Sequence, residues 1–201
     1  MALLIAAFCF VTFAINARAQ CPDDTWGPPP SVTVAPWTSL TTSQAMPGFP
    51  DCQVLITYCK RDLPDGSVQV WIESAVLDPN SNCTGVDPAT VIAAARDLVV
   101  NEPAVNGQRP CFKPSFTITN VYTARCWSEQ QSFWPGGQNA FGLYPCIGSG
   151  WCQKSCQACV NGDGTVTLSN CTYVGQYVDM LCDTPPGVWQ LNQCYTIGCP
   201  N

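Results

Sequence analysis

Cysteine is the feature that most narrows what this chain can fold into. The 201 residues contain 15 Cys, and the first, Cys9, sits in an apolar run from Leu3 to Ala14 that is followed by Ala17-Arg18-Ala19. A short apolar core ahead of a small-x-small triplet is the pattern of a secretory signal peptide, so residues 1–19 are expected to be removed by cleavage before Gln20. The run is too short to cross a bilayer as a helix. Removing Cys9 leaves fourteen: Cys21, Cys52, Cys59, Cys83, Cys111, Cys126, Cys146, Cys152, Cys156, Cys159, Cys171, Cys182, Cys194 and Cys199. An even set in an exported chain reads as a disulfide framework with no free thiol. Each bridge is expected to add roughly 2–4 kcal/mol by restricting the unfolded chain. Spacing does not give the connectivity, because fourteen cysteines allow on the order of 10⁵ complete pairings.

Cys152, Cys156 and Cys159, in SGWCQKSCQACVNGDG, are spaced C-x3-C-x2-C. The spacing resembles the triplet with which radical-SAM enzymes hold an iron–sulfur cluster. Such a triplet sits near the start of a large barrel, whereas here it lies about 50 residues from the end of a small chain. The residue before the third cysteine is Ala158 rather than an aromatic. On a strand Cys152 and Cys156 share one face and Cys159 takes the other, which suits separate bridges. Thiolate clusters also fare badly in an oxidising compartment. Disulfides are therefore expected at all three.

The chain has no histidine. That removes Ser-His-Asp and Cys-His nucleophiles, C-x-x-C-H haem attachment and His-bearing zinc sites. No cofactor and no metal is expected. The NGDG stretch at 161–164 lacks the further acidic ligands of a calcium loop and reads as a hairpin turn. Without Arg18 the chain carries seven Lys plus Arg against 14 Asp plus Glu, a net charge of −7. No basic patch suggests nucleic acid, and no later apolar stretch suggests a membrane span. Two-carboxylate glycan hydrolysis needs no histidine and stays open, with Glu73, Asp62, Asp65 and Glu129 as candidates.

Residues 20–50 read as a Pro-rich extended arm: seven of the 18 prolines fall there, with no Lys or Arg. Ser31–Ala35 alternates polar and apolar residues, and strand addition through it to a second copy of the chain is one expected partnership. Cys21 would then bridge either to that neighbour or to its own domain. Residues 51–201 read as a disulfide-stapled α+β domain, an antiparallel sheet of about five strands with one packed helix. Residues 52–61 and 67–76 are expected strands around a Pro64-Asp65-Gly66 turn, with Val68, Val70 and Ile72 on one face and Gln69, Trp71 and Glu73 on the other. Asp87 caps a helix whose Val91, Ile92, Ala95, Leu98 and Val99 form one apolar stripe. Residues 115–128 are an expected strand and 129–146 a long loop. Residues 150–160 and 165–174 form a second expected hairpin, and the tail from Gly175 is irregular and stapled.

Charged residues are only 11% of the chain, against about 25% in ordinary domains, so little charge repels neighbouring copies. The expectation is a secreted, non-enzymatic extracellular or cell-surface protein, structural or adhesive, as a subunit of an assembly. The alternative is a carbohydrate-binding module, and behind it the hydrolase; a glycan or a cell-surface protein is the partner these imply. Trp71, Glu73, Trp127 and Trp134 are the candidate contact surface, since exposed aromatics serve carbohydrate, peptide and subunit contacts. Asn82 and Asn170 stand in N-glycosylation sequons whose middle residue is cysteine.

Overall fold

The computed structural model describes residues 21–22, 35–106, 109–112, 116–146, 148, 150–176 and 182–199. The expected signal peptide at 1–19 and residues 31–34 of the expected arm strand lie outside them. The described residues are mostly β-sheet with two helices. In chain order they are β1 (Thr38–Met46), β2 (Phe49–Asp62), β3 (Val68–Leu77), α1 (Pro88–Val100), α2 (Pro103–Asn106), β4 (Thr117–Ala124), β5 (Cys126–Trp134), β6 (Gln138–Pro145), β7 (Trp151–Val160), β8 (Val166–Gln176) and β9 (Cys194–Thr196). All nine strands belong to one sheet.

Nine strands replace the expected five: β9 forms in the tail expected to be irregular, where Cys194–Thr196 pairs with Cys126–Ser128 of β5, and the other three have local reasons. The second half of the Pro-rich stretch is β1, hydrogen-bonded along β2 from Thr38↔Lys60 to Met46↔Phe49. The expected strand over 115–128 is two strands, because the chain leaves the β4 ladder after Ala124 and starts β5 at Cys126. The expected loop at 129–146 is the β5–β6 hairpin. Its turn is Pro135-Gly136-Gly137, with both glycines at positive φ and the Gly137 N–H donating to the Trp134 carbonyl at 3.0 Å.

Two other hairpins turn on the same chemistry. Asp65-Gly66-Ser67 joins β2 to β3, and Asp163-Gly164-Thr165 joins β7 to β8. In each, the aspartate accepts from the backbone N–H and the hydroxyl of the residue two positions on. In each, the glycine sits in the left-handed region and donates back to the residue three before it.

The hub is β3, buried along almost its whole length. One edge carries β2 from Asp62↔Val68 to Val54↔Leu77. The other edge is divided. Val68–Trp71 pairs in parallel with Thr119–Tyr122 of β4, and Ala75–Val76 pairs antiparallel with Leu143 and Gly142 of β6. Between them Glu73 is a bulge, since Ile72 pairs with Tyr58 and Ser74 with Thr57. Past that point the sheet forks into one wing of β4, β7 and β8 and another of β6, β5 and β9.

Helix α1 covers the face formed by Ile56, Tyr58, Val70, Ile72 and Val121, with its own Val91, Ile92, Ala95 and Val99 buried against it. Asp87 accepts from the Thr90 N–H at 3.1 Å and Pro88 occupies the first turn, the local chemistry that starts the helix where the sequence places it. Buried Asn106 ties the helical segment to β4. Its amide donates to the Val100 and Glu102 carbonyls, and its oxygen accepts from the Thr119 hydroxyl at 2.7 Å.

Fourteen cysteines form seven bridges: Cys21–Cys59, Cys52–Cys83, Cys111–Cys159, Cys126–Cys182, Cys146–Cys194, Cys152–Cys199 and Cys156–Cys171. Cys152, Cys156 and Cys159 thus enter three separate bridges, and no thiolate triplet remains. Cys21 bridges to its own domain, which corrects the alternative that it locks a neighbour.

The β3–β6 junction is two residue pairs wide, and Gly142 sits in it. A Cβ there would meet the Val76 Cγ2 and the Tyr144 ring, each at 2.9 Å. Gly142→Ala is expected to destabilise the protein by about 1–3 kcal/mol, as overpacking in a filled site does. Denaturant unfolding checks it; a variant as stable as the native chain would mean the junction is loose.

Candidate functional site

The sheet face opposite α1 holds two of the four residues proposed as a contact surface. Strand pairing gathers them: Cys59 is opposite Trp71, Arg61 opposite Gln69, and Trp71 beside Tyr122. The Arg61 guanidinium lies 4.2 Å from the centroid of the Trp37 ring, and its Nε donates to the Gln69 Oε1 at 2.7 Å. The Tyr122 ring meets Trp151 edge to face at 5.3 Å, and Gln153 donates to Asn120 at 2.8 Å. Planar aromatic, guanidinium and carboxamide groups thus interlock across β2, β3, β4 and β7.

Glu73 sits at the fork. Its Oε2 accepts from the Ser39 hydroxyl at 3.3 Å, while its Oε1 is buried with no hydrogen-bond partner. The side chain is 2% exposed, and burial pushes its pKa above the ordinary glutamate value, with the Ser39 bond pulling the other way. A carboxylate oxygen of Glu73 and the sulfurs of Cys21 and Cys59 lie within 4.8 Å of one another. The two sulfurs are joined to each other, so neither is a thiolate and the trio has no metal-binding chemistry.

The other candidate carboxylates stand elsewhere. Asp62 pairs with Val68, five residues from Glu73 along β3, which is roughly 17 Å at about 3.3 Å per residue. Glu129 pairs with Leu143, which pairs with Ala75, so it points to the face opposite Glu73. Asp65 is held in its turn by Ser67. Carboxylate pairs that cleave glycosides stand about 5–9.5 Å apart, and Glu73 has none of these three at that range.

Of the four proposed contact residues, three are inside. Trp71 and Glu73 are buried. Trp127 is 0% exposed, with its indole donating to the Ala124 carbonyl at 2.7 Å. The strand alternation that puts Trp127 outward does not carry past the break at Arg125. Trp134 is partly exposed beside the β5–β6 turn. The exposed aromatics among the described residues are instead Phe112, Phe116, Phe133 and Phe141. Phe133 and Phe141 share one face of that hairpin because Phe133 pairs with Asn139 and Gln131 with Phe141. Reading 129–146 as a loop hides this patch. Arg61 is legible in principle, since the Asp65-Gly66 turn fixes its register opposite Gln69.

Comparison with known proteins found no matching family model, no matching characterised protein and no matching solved structure.

A carboxyl whose pKa is raised by folding favours the folded state when protonated. Stability is therefore largest below the ordinary glutamate value and falls as pH rises through the raised one. Glu73→Gln removes that loss. The variant is expected to match the native protein at about pH 4 and to be the more stable of the two at about pH 7, each unit of separation being worth about 1.4 kcal/mol. Thermal unfolding at both pH values measures this. A variant weaker than the native protein at the higher pH would mean that Glu73 is ionised and paired.

Proposed function

We propose that this chain is an exported extracellular or cell-surface protein with a structural or adhesive role, that it acts as a subunit of an assembly, and that it is not an enzyme. The observation that carries this reading is a pair of open sheet edges without charge. Among the described residues β1 pairs only with β2, and β8 only with β7. Their sequences, TSLTTSQAM and VTLSNCTYVGQ, contain no Lys, Arg, Asp, Glu or Pro. Soluble monomers usually guard such edges with charges, prolines or covering loops, because an unguarded edge templates another strand. The seven bridges support export, since disulfides persist in oxidising compartments. The exposed Phe133 and Phe141 add an apolar patch on the β5–β6 hairpin.

Light scattering behind size exclusion, over a concentration series reaching the millimolar range, tests the reading. The native protein is expected to form multimers. Ser43→Lys combined with Ser169→Lys, both on exposed positions of the two edges, is expected to shift it to monomer. A native protein that stays monomeric throughout, or multimers indifferent to both lysines, would contradict the assembly role.

A further inference from the structure

On the α1 side of the sheet a cavity of about 260 Å³ lies between the helix, the end of β4 and the C-terminal tail. Ile92 and Ala93 of α1, Ile197 of the tail and the Cys152–Cys199 bridge form its apolar walls. Arg96 lines it as well.

Among the described residues Arg96 is a buried cation with no ion pair of its own. It is 5% exposed, and its Nε is buried with no hydrogen-bond partner. Its guanidinium lies 5.4 Å from the ring of Tyr173. The adjacent Asp97 is bonded elsewhere, to the Lys154 Nζ at 2.8 Å. Lys154 is buried too and lies 5.7 Å from the same tyrosine ring. Two buried cations and one carboxylate leave the cluster with one positive charge in excess. A buried charge of this kind is costly unless something pairs with it. Nothing in the packing of α1 requires it, because the positions around Arg96 that face the sheet are already Val, Ile and Ala.

We propose that this cavity is a binding site for a small organic anion, an apolar body bearing one carboxylate, with the carboxylate on Arg96 and the body against Ile92, Ala93 and Ile197. Guanidinium and carboxylate match as a bidentate, charge-assisted pair, and the low-dielectric surroundings strengthen that pairing. The volume fits the class. An apolar cavity of about 150 Å³ accepts benzene, so the larger space here holds an aromatic ring or a short alkyl chain together with its acid group. Neither an uncharged ring nor a bare inorganic anion uses both halves of the site. None of the residues lining the cavity belongs to β1 or β8, and benzoate binding is read without reference to oligomeric state, so its failure and the failure of the assembly role are distinguishable.

Benzoate is the probe, titrated by ligand-observed NMR into the disulfide-bonded protein. One saturable site is expected. Benzyl alcohol, with the ring and no charge, and sulfate, with charge and no ring, are each expected to bind weaker by about tenfold or more. Arg96→Met is expected to lose benzoate binding by about tenfold or more while its melting temperature stays level or rises, since a buried cation without an ion pair gives way to an apolar side chain. Ile197→Phe, which fills the cavity and keeps Arg96, is expected to lose binding to a similar degree and decides the matter should Arg96→Met fail to fold. No saturable benzoate binding overturns the proposal. So does benzyl alcohol binding as tightly as benzoate, or folded variants that bind benzoate as the native protein does.

Discussion

Strand β3 gives one edge wholly to β2 and divides the other between β4 at Val68–Trp71 and β6 at Ala75–Val76, with Glu73 bulged between them. A strand edge has one row of backbone donors and acceptors, so two strands can share it only in series. The bulge lets the chain change its facing between the two segments, which puts Ala75 in the core after Ile72. The sheet therefore has two wings and a gap where they part. Trp127, at the first turn away from β4, lies within the core at that point, its indole tied to the Ala124 carbonyl.

Hydrogen bonding alone holds the second wing weakly, because two residue pairs are a short junction. The C-terminal tail supplies the rest. Cys182 and Cys194 bridge to Cys126 and Cys146 at the β5–β6 wing, and Cys199 bridges to Cys152 at the head of β7. Between these anchors β9 pairs with β5, and the Ile197 N–H donates to the Arg125 carbonyl at 2.7 Å, at the crossing from one wing to the other. The tail thus spans the fork covalently. Its bridges close loops of 47 to 56 residues, the long separations at which a cross-link restricts the unfolded chain most. The same tail closes one side of the cavity that Arg96 lines.

The features legible in the sequence are local ones. Asp87 and Pro88 start a helix by satisfying backbone donors within one turn, and Asp65-Gly66 and Asp163-Gly164 close hairpins by bonds within two or three residues. The even cysteine count forecasts bridges and not their partners. The fork is hidden because its parallel β3–β4 pairing joins residues about 50 positions apart, for which alternation carries no information. Arg125 reads as one more strand residue, so alternation gives Trp127 the wrong environment. Arg96 adjoins the apolar stripe of its helix, and only the three-dimensional placement of Asp97 against Lys154 shows that it lacks an ion pair. Alternation puts Glu73 on the correct strand face beside Trp71, but its burial comes from β1 and Cys21, which lie in the stretch that reads as an arm.

Peptide mapping of the non-reduced protein by mass spectrometry tests the clamped fork most directly. The account predicts Cys126–Cys182 and Cys146–Cys194 on one wing and Cys152–Cys199 on the other, with Cys156–Cys171 and Cys111–Cys159 as separate links. Tail cysteines paired with one another, or Cys152 joined to Cys156 or Cys159, would contradict it.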